Sequence, residues 1–169
     1  IRNFDLLSKE LNSFEPEIVF HLAAQPLVRR SFSDPRETFE TNIMGSSNLL
    51  DILRKTDFVR SLVFVTSDKC YENMEWSRGY VEDDRLGGID PYSSSKAGAE
   101  IIFSSFQRSF FKFKKNFGAA SARAGNVIGG GDWSVDRIVP DCVRSIIKEE
   151  PVFLRNPDAV SYTHLRAHE

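Results

Sequence analysis

Tyr92 and Lys96 are the residues in this chain whose types and spacing most readily suggest chemistry. Four positions apart on a helix, a phenol and an ammonium share one face, one turn from each other. The positive neighbour favours the phenolate, which makes a base that works near neutral pH. Asp90 can cap such a helix, and Pro91 can occupy its first turn, where a missing N–H costs nothing. The spacing alone equally describes a solvated helix face, so the neighbouring elements must decide between the two.

Those elements alternate. Asn3 to Phe14 carries Phe4, Leu7 and Leu11 on one stripe and predicts a helix that Pro16 ends. The apolar run from Glu17 to Leu22 suits a buried parallel strand, with the small residues Ala23 and Ala24 just past it. Asp34-Pro35 predicts a second helix reaching about Lys55, and Arg60 to Thr66 a β-branched strand. Ser67-Asp68-Lys69-Cys70-Tyr71 then lies at that strand's C-terminal end, followed by a long polar loop over 72–90. A third helix is expected from Pro91 to about Lys115, its Phe-rich second half reading as core or subunit interface. Gly118 to Arg123 reads as a third strand, 124–133 as a glycine-rich loop, Ile138 to Glu149 as a fourth helix, and Pro151 to Leu154 as a further strand. This order predicts right-handed β-α-β units: a Rossmann-like, doubly wound α/β fold with a parallel sheet and helices on both faces. Ligands gather at the carboxyl ends of strands in such sheets. Residues 23–26, 66–71 and 123–132 fall there together, and with the Tyr92 helix they outline an active site.

The totals exclude several alternatives. A net charge of -2 gives no electrostatic case for nucleic acid or an anionic membrane as partner. No apolar run approaches the roughly 20 residues that span a bilayer. Cys70 and Cys142 form no C-x-x-C pair, which argues against a disulfide scaffold or structural zinc and suits a reducing, cytoplasmic setting. His164 and His168 stand at helical spacing but have no third ligand, so no metal site is expected.

The ordered set of motifs resembles the extended short-chain dehydrogenase/reductase family, in its nucleotide-sugar branch. Tyr92-x-x-x-Lys96 with an upstream Ser, His21-Leu22-Ala23-Ala24, Thr41-Asn42-Ile43-Met44-Gly45 and Arg123-Ala124-Gly125-Asn126-Val127 carry the likeness. Thr66 to Tyr71, Gly129-Gly130-Gly131-Asp132-Trp133, the stretch His21 to Arg29, and Arg155-Asn156-Pro157 resemble the 4,6-dehydratases that act on CDP-glucose. The likeness covers about residues 1–160, taken as one partial domain, with 161–169 as a tail outside it.

The resemblance implies NAD as cofactor, a nucleotide-sugar substrate such as CDP-glucose, and a homodimer or dimer of dimers built on the helices near 34–55 and 91–115. Tyr92 would take the proton of the sugar C4 hydroxyl, while Lys96 lowers its pKa and holds the nicotinamide ribose. Ser67 would hydrogen-bond the same oxygen. Asp68 and Lys69 would serve the loss of water across C5 and C6. Related dehydratases carry Asp-Glu there, so Lys69 stands either as a neutral base or as an electrostatic aid. Leu22, Ala23, Ala24 and Thr41 would line the cofactor, and Asn126, with Gln25, Pro26 and Arg137, would face the substrate. Arg29 and Arg30 could reach phosphate, although such a basic pair is more commonly solvated surface. An epimerase or decarboxylase of the same fold, and a non-catalytic binding module, remain alternatives.

Two departures limit the resemblance. The family's phosphate-binding G-x-x-G-x-x-G is not in the chain, and Gly129 to Gly131 has the wrong spacing to replace it. About two β-α units are therefore expected ahead of Ile1, and the isolated chain is expected not to turn over. Ser161 stands where the family has a phosphate-gripping arginine, and the tail after it is expected to be disordered.

Overall fold

A computed structural model describes residues 1–127, 129–154 and 157. Arg155 and Asn156, Ser161 and the tail with His164 and His168 lie outside the described residues. The chain divides into two compact units, one of Ile1–Trp76 with Tyr80–Ala124, the other of Ser77–Gly79 with Gly125–Glu169.

In the first unit, α1 (Phe4–Phe14) begins where the Asn3 side chain accepts the Leu6 amide at 2.9 Å. It ends at Glu15, whose φ of 49° turns the chain away just before Pro16. Strand β1 (Ile18–His21) follows. The helix expected over 34–55 is interrupted. A short α2 (Val28–Ser33) precedes it, and α3 (Pro35–Phe39) starts at Asp34, whose carboxylate accepts the Glu37 amide. A single π-helical turn, Glu40–Met44, then joins α3 to α4 (Gly45–Leu53). Strand β2 (Ser61–Val65), α5 (Pro91–Ser109) and β3 (Gly118–Ala122) complete the unit.

The three strands are parallel in the order β1-β2-β3. Their register aligns Val19 with Leu62 and Ala119, and His21 with Phe64 and Ser121. Side chains alternate along a strand, so these two rows point to one face. There Leu62 and Phe64 join Leu49, Leu50 and Leu53 of α4 and Ala99 and Phe103 of α5 in one core. Leu50 and Leu53 are fully buried, each contributing about 1.5–3 kcal/mol of hydrophobic stabilisation. The alternate positions Ile18 and Phe20 remain 56% and 64% exposed.

Beyond Ser109 the expected helix gives way to a 3-10 turn, Phe111–Phe113, that buries Phe111 and leaves Phe113 outside. The Phe-rich stretch is thus part core and part surface. In the second unit, α6 (Ile138–Ile147) is held by Arg144, which donates to Asp141 at 2.8 Å and to the carbonyls of Trp133 and Ser134. Residues 151–154, expected as a strand, form none: among the described residues no neighbouring strand supplies the ladder that a strand requires.

Candidate active site

The start of α5 fixes the phenol and the ammonium. Asp90 accepts both the amide and the hydroxyl of Ser93, at 2.9 and 2.6 Å, and Pro91 takes the first turn. Gly88 lies against this turn: a Cβ there would come within 2.3 Å of the Ser94 backbone nitrogen. Tyr92 and Lys96 both face inward, 8% and 7% exposed. The Lys96 ammonium sits 6.0 Å from the centre of the Tyr92 ring. Burial draws the Lys96 pKa below the usual lysine range. Among the described residues it makes no ion pair with a carboxylate.

The Ser67 turn is fixed by the sheet. The parallel ladder runs on past the strand ends, with the Thr66 amide donating to Ala122 and the Asp68 amide to Ala124, both at 2.9 Å. Asp68–Cys70 then forms one 3-10 turn packed against α5. The Ser67 hydroxyl donates to the Asp68 carboxylate at 3.0 Å and accepts the Lys69 amide at 3.2 Å. Asp68 is half-buried and Lys69 exposed. Cys70 is fully buried, and burial pushes its thiol up to about 12, so it stays neutral and plays no nucleophilic part.

The loop after β1 forms the next edge of this unit. Leu22 and Ala23 are exposed, Ala24 half-buried, and Pro26 exposed. Gln25, expected to face substrate, is instead 6% exposed and hydrogen-bonded within the fold. Its side chain accepts the Leu27 amide at 2.6 Å and donates to the Leu27 carbonyl and the Thr38 hydroxyl. Asn42 completes the arrangement, accepting the Gln25 amide at 2.8 Å and donating to Ser95 at 2.8 Å. The π turn gives Asn42 this aim and leaves Thr41 half-buried beside it. His21, at the end of β1, is 6% exposed and packs on Phe64 with ring centres 4.8 Å apart. Burial, then the Lys96 ammonium, then the terminal ammonium lower its pKa to about 4.

The remaining candidates, Asn126 and Arg137, belong to the second unit and line one cleft there with Asp132 and Pro140. Among the described residues no cluster of metal-ligating side chains occurs, and no helix is long and apolar enough to cross a membrane. Sequence reasoning missed Glu100, which is 3% exposed and one turn beyond Lys96 on the same face of α5. No local signal marks it, because Thr66, Ser121 and Arg123 meet it only in the fold.

A family model described as GDP-mannose 4,6 dehydratase matches residues 1–150. The chain belongs to this family. It is 49% identical, over 95% of its length, to the CDP-glucose 4,6-dehydratase of Salmonella typhimurium, of which it covers 46%. Among solved structures it is similar to a UDP-glucose 4-epimerase of Thermus thermophilus in complex with NAD. There the TM-score is 0.76 and the identity 29%, over 89% of this chain and 48% of the other. It is also similar to a dTDP-glucose 4,6-dehydratase of Streptomyces venezuelae with NAD and TYD bound, with a TM-score of 0.75, 25% identity, and 88% and 43% of the two chains covered. The chain spans less than half the length of each of these three relatives.

Proposed function

We propose that this chain is a segment of an NAD-dependent nucleotide-sugar 4,6-dehydratase that converts CDP-glucose to its 4-keto-6-deoxy derivative. One observation carries the reading: the turn that holds Ser67 and Asp68 packs against the helix that buries Tyr92 beside Lys96. The likeness to the Salmonella enzyme supports it, and so does the Asp68-Lys69 pair of this chain, which simple epimerisation at C4 does not require.

The residues present suit a nicotinamide ribose. Lys96 is a buried ammonium without a carboxylate partner among the described residues, and ribose hydroxyls would supply the oxygens it lacks. Leu22, Ala23 and Ala24 follow the carboxyl end of β1 and, with Thr41, would line the cofactor. The pyrophosphate cradle belongs to the G-x-x-G-x-x-G segment that this chain does not carry.

NAD held by these residues would supply hydride chemistry, accepting a hydride from sugar C4 and giving it back at C6. Tyr92 accepts the proton of the C4 hydroxyl as that hydride leaves. Lys96 favours the phenolate by its charge, and Ser67 hydrogen-bonds the sugar oxygen. The resulting ketone acidifies C5. Lys69, or water held by it, takes the C5 proton, and Asp68, entering this step as the carboxylic acid, gives its proton to the departing C6 hydroxyl, which leaves as water. A proton returned to C5, together with the hydride delivered to C6, closes the balance. The α4 and α5 helices, with Ile101 exposed, form the face of a homodimer in the cytoplasm.

The test is to supply the complete enzyme carrying this chain with CDP-glucose and NAD+ and identify the product. A 4-keto-6-deoxy sugar is expected. Formation of the C4 epimer alone would overturn the dehydratase reading.

A further inference from the structure

We propose that Glu100 and Arg123 form a positioning clamp that holds the Ser67–Lys69 turn against α5, and that Glu100 thereby governs the water-loss step. The clamp's kinetic role rests on the dehydratase reading above; its structural role does not.

The carboxylate of Glu100 reaches both strand ends. One oxygen accepts the Thr66 hydroxyl; the other accepts the Ser121 hydroxyl at 3.1 Å and the Arg123 guanidinium at 3.0 Å. Arg123 carries the connection further. Its other nitrogen donates to the Tyr71 hydroxyl at 2.8 Å and to the Glu82 carbonyl at 2.9 Å, and its guanidinium lies 5.0 Å from the Tyr71 ring centre. The pair thus anchors the residue just before Ser67-Asp68-Lys69 and the residue just after Cys70. The short span between these anchors contains every group assigned to water loss, and inside it the Asp68 amide adds a sheet hydrogen bond to Ala124.

Tyr92 and Lys96 are held differently. They belong to a helix capped by Asp90 and fixed through Ala99 and Phe103 in the core. Loosening Glu100 therefore shifts the turn relative to the helix and leaves the phenol in place. The two steps of the reaction respond unequally, since proton removal at C4 uses the helix and loss of water uses the turn. Small misplacement of acid–base groups is costly, on the order of a hundredfold for about 1 Å.

The experiment uses the complete enzyme with Glu100→Gln and with the double change Glu100→Gln/Arg123→Gln. The double variant removes the buried cation that the single change would strand, so a folded protein is available for the measurement. Three results are expected of it. Turnover falls about 10–100-fold with KM within about threefold. Reduced nicotinamide accumulates in single turnover, because oxidation at C4 outruns water loss. Amide exchange over 68–71 rises about tenfold while that of residues 96–103 is unchanged. A folded double variant with wild-type turnover and wild-type exchange would overturn the clamp. So would a fall in turnover with oxidation slowed equally and exchange unchanged. The exchange measurement needs no sugar chemistry, so it decides the clamp even where the wild-type enzyme yields no keto product, an outcome that strikes the dehydratase reading alone.

Discussion

Acidification should destabilise this fold through one buried imidazole. The His21 Nε2 lies 2.9 Å from the Ser46 hydroxyl, and that hydroxyl donates its only proton to the Asn42 carbonyl at 2.7 Å. Ser46 must therefore accept from His21, which fixes the neutral ring with its proton on Nε2. Protonating Nδ1 would place a cation in the core, where burial and then the Lys96 ammonium oppose it, and the pKa falls from 6.5 to about 4. The folded value lies below the unfolded one, so protons favour the unfolded chain. Stability is whole above pH of about 6.5, drains away as pH falls, and levels off below about 4. At about 1.36 kcal/mol per unit the loss comes to about 3 kcal/mol. Urea denaturation of the wild type and His21→Gln from pH 7 to 4 isolates this contribution, because the other titrating groups are common to both. The wild type should lose about 3 kcal/mol more than the variant over that window, with the ring titrating near 4 by NMR. Parallel stability curves, or a ring titrating near its ordinary value, would refute the buried neutral imidazole.

Other expectations follow from the same geometry. Tyr92→Phe in the complete enzyme should lower turnover by about 10²–10⁴-fold while leaving the denaturation midpoint nearly unchanged, as steady-state kinetics and thermal melts would read. Leu50→Ala, at a fully buried core position, should cost about 2–5 kcal/mol in urea denaturation. Gly88→Ala should be far more damaging than Gly87→Ala. Its Cβ would meet the Ser94 backbone at 2.3 Å, whereas at Gly87 it would meet the movable Glu72 carboxylate; paired thermal melts distinguish them.

Much of this arrangement was legible in the sequence because it rests on local signals. Asp90-Pro91 and Asp34-Pro35 announce helix starts by cap and first-turn proline, and both helices begin there. The β-branched run before Ser67 announces a buried strand, and β2 ends at Val65. What escaped depends on contacts distant in sequence. Helix α2 has no side-chain cap, since Leu27 precedes it, so nothing local marks its start. The π turn inserts itself where Asn42 must meet Gln25 and Ser95, a demand no helical pattern reveals. Glu100 reads as one charge on a solvated helix until folding brings Thr66, Ser121 and Arg123 around it. Gln25 has the polarity of a ligand contact, yet its hydrogen bonds close within its own loop and α3.

The central claim is that Tyr92, Lys96 and the Ser67–Lys69 turn serve a hydride that leaves one sugar carbon and returns to another. Carrying deuterium at C4 of CDP-glucose through the complete enzyme tests this most directly. The account predicts that the label reappears at C6 of the 4-keto-6-deoxy product. Label lost to solvent, or retained at C4 of an epimer, would contradict it.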